Sequence, residues 1–297
     1  MARFHFYALE GLAFIFLFTI FYLLLSSPRV ALATESPTST AVQIERPLRI
    51  LIEPGHEPNF GGTAFRKLIE RDLTVALGAE LQQLLAEDPH FQVMMTRDTR
   101  DWNPIFSDYF RKNWNAIIAW KNSARKNFNN LIAKGKIRKP VSKVSHNKAP
   151  SKVATRLYGM NRWANENNFD VTLNIHFDDE NGHRRNVPGR FSGFTIYQPS
   201  PQYNNSERSR KLARALLAKL EEVSQPSNLA GHKGGIIDEP MLIAIGENNT
   251  SNATSLVIEY GFIYEKKFTD PKLRSKTLED LARATYQALE DYRTQLQ

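Results

Sequence analysis

Four residues of this 297-residue chain carry side chains suited to hydrolytic metal chemistry: His56, Glu70, His176 and Glu259. A hydrolytic zinc ion takes about three protein ligands and keeps a fourth position for water. The chain contains no cysteine, so such ligands must be imidazoles and carboxylates. Singly, each residue has a plainer explanation. A histidine after a strand usually satisfies a loop or core contact, and a glutamate at a helix start favours the helix dipole. Glu259 resists that treatment, because an unpaired carboxylate inside the apolar run Ser255–Glu259 is costly and needs a partner or a task. Together the four define one chemistry. His56, Glu70 and His176 supply a ligand set for one zinc ion (Zn2+) per chain. Glu259 then serves as the general base that takes a proton from water and returns it to a leaving amine.

The surrounding pattern must bring these residues to one place. Leu48–Glu53, Phe91–Thr96, Val171–Phe177, Phe191–Tyr197 and Ser255–Glu259 are short apolar runs with the length and punctuation of buried strands. Between them, Ile69–Glu87 repeats leucine at helical spacing, and Arg156–Asn167, Ser206–Val223 and Leu273–Leu296 also read as helices. Alternating strands and helices predict an α/β fold: a single twisted, mostly parallel sheet flanked by helices on both faces. Ligands of such sheets sit beyond the carboxyl ends of the strands. His56, His176 and Glu259 each stand at the end of an expected strand. Gly61-Gly62 gives the intervening loop freedom to fold Glu70 back beside them.

Charge and hydropathy divide the chain. Residues 11–25 form an uncharged apolar run behind Arg3, and Ala31-Leu32-Ala33 offers a cleavage site, so residues 1–33 are expected to be a signal peptide or a membrane anchor. Residues 34–47 read as a polar linker, and 48–297 as the catalytic domain. The formal net charge of +8 is local in origin. No Asp or Glu occurs from Tyr109 to Asn165, and residues 111–156 hold thirteen Lys and Arg, without which +8 becomes −5. The segment 99–155 begins with aromatics at helical spacing, suggests a second helix over Ala124–Lys134, and ends in a Lys/Pro/Ser-rich loop.

Ile50–Glu57 (ILIEPGHE), Ile69–Leu73 (IERDL), Thr96–Asp98 (TRD), Arg162–Asn165 (RWAN), Asp170–Asp178 (DVTLNIHFD), Ser192–Tyr197 (SGFTIY) and Leu256–Phe262 (LVIEYGF) follow one another in this order. The order resembles that of the zinc N-acetylmuramoyl-L-alanine amidases of the amidase-3 type, over roughly residues 48–296 with 99–155 as an insertion. The resemblance implies cleavage of the N-acetylmuramoyl–L-alanine bond of bacterial peptidoglycan on the periplasmic or cell-wall side of the membrane. It carries the metal ligands onto His56, Glu70 and His176 and the catalytic glutamate onto Glu259. Two departures stand out. The family's Asp-Pro-Gly-His-Gly is here Glu53-Pro54-Gly55-His56-Glu57, and Asn174 replaces a common serine.

Three roles are open for the basic insertion: a helical hairpin over the cleft, an electrostatic attachment to an anionic wall polymer or membrane surface, or a solvated appendage. Nucleic-acid binding fits the charge but not an exported enzyme. An activator protein is a further expected partner, and the oligomeric state is undecided. A catalytically silent wall-binding protein, or an amidase acting on a peptide, are the competing functions. His90, His146, His183 and His232 read as surface residues, and Arg97 with Asp98 as a local ion pair.

Overall fold

The computed structural model describes residues 46–141, 149–180, 182–184, 186–232 and 234–297. The expected export segment and nearly all of the linker lie outside these residues, as does His146. Among the described residues, no helix is long and apolar enough to cross a membrane.

β1 (Leu48–Pro54) buries Ile50, Leu51 and Ile52 completely, as a strand covered on both faces must. A small hairpin of β2 (Ala64–Phe65) and β3 (Leu68–Ile69) leads into α1 (Glu70–Ala86). β4 (Phe91–Met95), α2 (Pro104–Ala133), α3 (Ser151–Glu166) and β5 (Val171–Asp178) follow. The chain continues through β6 (Thr195–Gln198), α4 (Ser206–Glu221), β7 (Ile236–Asp238) and β8 (Thr254–Phe262). The short α5 (Lys266–Thr269) and then α6 (Pro271–Thr294) complete it. The six-stranded sheet has the order β4-β1-β5-β8-β6-β7. Every pair is parallel except β6 with β8. The mixed, mostly parallel sheet matches the expected fold class.

Strand alternation sorts the core into two layers. Ile50, Ile52, Leu173, Ile175 and Ile258 face α1, α4 and α6, where Leu73, Leu77, Leu81 and Leu85 recur every fourth residue along α1. Leu51 points the other way, into a cluster of Phe106, Phe110 and Ile117 from α2 with Tyr158, Met160 and Trp163 from α3. The first half of the insertion is therefore a structural layer, and its aromatics are core.

The insertion differs in detail from its sequence reading. Instead of two helices there is one of 30 residues, α2, started by Pro104 and by the Asn103 side chain accepting from Ile105 N at 3.0 Å. Phe128 is buried against Tyr203, so the helix stays anchored beyond Trp120 and does not break. α3 begins five residues earlier than the Arg156 start expected, and packs against α2. β6 begins only at Thr195, because Gly193 turns the chain with φ of +93°.

Candidate active site

β1 ends in a tight turn that sets His56 at a φ of +69°, an uncommon conformation for a non-glycine residue. Glu70 is the first residue of α1, with its amide donating to Thr63 O at 3.0 Å. His176 lies near the end of β5. These three converge. One donor atom from each lies within 4.8 Å of the others, and among the described residues no other group of three or more metal-capable side chains meets at such distances. His56 Nε2 stands 2.6 Å from Glu70 Oε2, yet is out of line for a hydrogen bond. His176 Nδ1 stands 3.0 Å from Glu70 Oε1. Two imidazoles and a carboxylate aimed at a common point are the donor chemistry of a divalent metal site with a free position. The side chains present fit such an ion.

The supports of this group are built in. Glu70 also accepts from Thr63 N at 3.0 Å and Phe177 N at 3.2 Å. Burial pushes its carboxyl up, but the His176 hydrogen bond and the close approach and charge of both imidazoles outweigh that and hold it well below the ordinary range. Gly62 takes φ of +69°, and a Cβ there would lie 2.6 Å from Glu70 Oε2 and against the His56 ring. A Cβ on Gly55 would run into the His176 ring, 2.6 Å from Nδ1. Both glycines keep space for the donors.

Arg97 does not form the expected ion pair with Asp98. Only 1 % exposed, its guanidinium donates to the carbonyls of Pro54 (3.2 Å), His56 (2.9 Å), Gly55 and Arg71 (3.2 Å) and to Asp98 O at 2.9 Å. It thus clamps the turn that carries His56. The Asp98 carboxylate instead accepts from the amides of Arg100 and Asp101. His232 is likewise buried rather than on the surface, with Nδ1 3.0 Å from Thr195 Oγ1, and His183 pairs with Asp179 at 2.8 Å.

Glu259 sits in β8 in direct register with His176 of β5. Registered residues on neighbouring strands share a face at about 4.8 Å, so its carboxyl points toward the same group. It is 6 % exposed, and one of its oxygens has no hydrogen-bond partner among the described residues. Burial, then the nearby Asp178 and Glu70, raise its carboxyl well above the ordinary range. All four residues line one cavity of about 430 Å³, walled by Val153, Leu157 and Met160 of α3 and roofed by Leu242, Ile243 and Ala244.

The sequence of residues 50–291 matches the family model for N-acetylmuramoyl-L-alanine amidase, Amidase_3. The chain belongs to that family.

Solved structures of amidases share its fold. The N-acetylmuramoyl-L-alanine amidase from Clostridium difficile 630 is 17% identical with a TM-score of 0.52, over 84% of this chain and 98% of that one. Ami1 from Mycobacterium smegmatis is 13% identical with a TM-score of 0.56, over 84% and 97%. The CwlD amidase from Clostridioides difficile, solved in complex with the GerS lipoprotein, is 16% identical with a TM-score of 0.53, over 83% and 98%. No significant sequence match is found among curated proteins.

Within this amidase, the Glu57 departure has a visible partner. Its carboxylate takes a two-point ion pair from Arg156 of α3, at 2.9 and 3.0 Å. The Arg156 guanidinium also lies 5.8 Å from the Trp114 ring of α2. The residue after His56 is thereby engaged by the helical layer and turned from the metal-capable group. Sequence reasoning missed this partner, since nothing local marks a pair 99 residues apart.

Proposed function

We propose that this protein hydrolyses the amide bond between N-acetylmuramic acid and L-alanine in peptidoglycan, using one zinc ion held by His56, Glu70 and His176. The observation that carries the reading is the convergence of those three donors beside Glu259, in a chain of this amidase family. Bound there, zinc supplies Lewis-acid polarisation of the scissile carbonyl and makes water a better nucleophile near neutral pH. Glu259 does the proton work. Its buried carboxylate, made more basic by its surroundings, takes a proton from the attacking water and delivers it to the nitrogen of the departing L-alanine. Thr63 N and Phe177 N hold Glu70 in its orientation, and Arg97 fixes the turn bearing His56. Val153, Leu157 and Met160 of α3 and residues 242–244 give the cleft an apolar lining.

This substrate places the enzyme outside the cytoplasm, on the periplasmic or wall side, with residues 1–33 as its export signal or anchor. An activator partner is consistent with the CwlD–GerS complex of a structural relative. The exposed cations of α2 and of the loop after it, among them Lys126, Lys134, Lys136, Arg138 and Lys139, form a surface for an anionic wall polymer or membrane.

Metal analysis of the purified protein and mass spectrometry of digested sacculi test the reading. About one zinc per chain, activity abolished by chelator and restored by zinc, and peptides released with a free L-alanine amine are expected. Cleavage within the peptide, or full activity in metal-free protein, would sink it.

A further inference from the structure

Glu53 is the least satisfied polar side chain near the cleft. It is 3 % exposed, and neither carboxyl oxygen has a hydrogen-bond partner among the described residues. The strand register explains its position. Glu53 of β1 is paired with Asn174 of β5, Asn174 with Val257 of β8, and Val257 with Tyr197 of β6. These four side chains form a row across the sheet on the face that carries His176 and Glu259. The row lies two residues before His176 on β5 and Glu259 on β8, a step of about 6.6 Å, and on the antiparallel β6 it falls at Tyr197. All four line the cavity. Glu53 is not among the converging donors of the metal-capable group.

The row is polar at its ends and apolar at Val257. Asn174 is engaged, donating to Leu256 O at 3.2 Å, whereas the Tyr197 hydroxyl is buried without a hydrogen-bond partner among the described residues. Orphaned buried polar groups are costly and are rare unless a function retains them. Burial inside the cavity favours the neutral acid at Glu53. Desolvation accordingly pushes its carboxyl up to about 8. A neutral carboxylic acid presents one O–H donor, and its complement is an uncharged acceptor.

We propose that Glu53, as a carboxylic acid, is a specificity residue of a subsite on the cavity floor, donating to an uncharged carbonyl oxygen of the substrate. The proposal rests on the amidase reading and names what its cleft recognises one row behind the reacting atoms. Two sources offer such a carbonyl: the N-acetyl group of the sugar half and a backbone carbonyl of the peptide half.

The zinc-loaded wild type, Glu53→Gln and Glu53→Met distinguish the possibilities. The Met variant removes the donor without creating a void; the Gln variant keeps an N–H donor. Expected for Met is a KM raised about 10-fold to 100-fold, kcat changed much less, full zinc content and a melting temperature equal to or above that of the wild type. Gln should recover most of the KM. Calorimetric titration with N-acetylmuramic acid and, separately, with an L-alanyl peptide assigns the source: the half whose affinity falls in the Met variant carries the carbonyl. Difference infrared spectra give a measurement independent of turnover. The protonated-carboxyl band of Glu53, absent in the Gln variant, should shift when that product binds. A Met variant with wild-type KM and product affinities overturns the subsite, as does a band unmoved by either product. A wild type that releases no L-alanyl peptide instead defeats the amidase reading.

Discussion

At the scale of single residues, two buried glutamates on one sheet face divide the chemistry. Glu259, in register with His176, is the proposed base. Replacing it by glutamine keeps size and hydrogen bonding but removes the base. Turnover should fall about 100-fold to 10,000-fold, while zinc content, measured by metal analysis, stays at the wild-type level. Loss of zinc along with activity would mean that Glu259 holds the site together instead. Glu53 makes a different prediction, about stability. Its carboxyl is raised from 4.5 to about 8 by desolvation. Between those values the native state holds a proton that the unfolded chain has released. Stability therefore falls as pH rises from about 4.5 to about 8, and levels off above, because unfolding releases a proton in that window. The total is on the order of a few kcal/mol. Glu53→Gln should flatten this part of the curve of melting temperature against pH. An unchanged slope would show that another group causes it.

At the scale of elements, the turn bearing His56 and the helical layer are joined by Glu57 and Arg156. The pair is two-point and mostly shielded, with side chains 12% and 24% exposed. Exposed pairs contribute about 0.2–1 kcal/mol, and shielding strengthens the attraction. A double-mutant cycle with Glu57→Gly and Arg156→Ala should therefore give a coupling of roughly 1–2 kcal/mol by urea unfolding. Either single variant should also weaken zinc affinity, because the residue after His56 loses its tether; additive effects would contradict the link. The strands needed no such long-range knowledge. The strands expected over Val171–Phe177 and Ser255–Glu259, found at Val171–Asp178 and Thr254–Phe262, were legible from the alternating Val171, Leu173, Ile175 and Phe177 and from the apolar run Leu256–Ile258. α2 was harder to read as one helix. Its buried residues, Phe106, Phe110, Ile117 and Phe128, thin out past Ile117, so the helical period fades to the eye while one anchor at Phe128 sustains it. Arg97 misled for a related reason: the adjacent Asp98 carboxylate looks like a partner, but three of the carbonyls it binds lie 41 to 43 residues earlier.

Across the whole molecule, one topological fact makes the site. Parallel strands β1, β5 and β8 lie side by side, so chemistry at three places far apart in sequence arrives at one rim. That is why the metal-capable group was legible from strand ends, whereas the cavity behind it, set by register between strands, was not. The charge distribution follows a second logic. The sheet-facing side of α2 is apolar, and its outer face with the loop behind it holds exposed cations such as Lys126, Lys134 and Lys136. No acid occurs between Tyr109 and Asn165 to neutralise them. A surface of this kind attracts polyanions through a field that salt screens, with a reach of about 10 Å at 0.1 M and about 3 Å at 1 M. Retention of the enzyme on sacculi bearing anionic polymer, measured by sedimentation, should therefore drop severalfold between low and high salt. Lys126→Glu, Lys134→Glu and Lys136→Glu together should abolish that dependence and leave turnover of a small soluble muropeptide unchanged, since none of the three lines the cavity. If the triple variant sediments as the wild type does at every salt concentration, the basic face has no part in attachment, and the helical layer serves only to complete the core and hold Glu57.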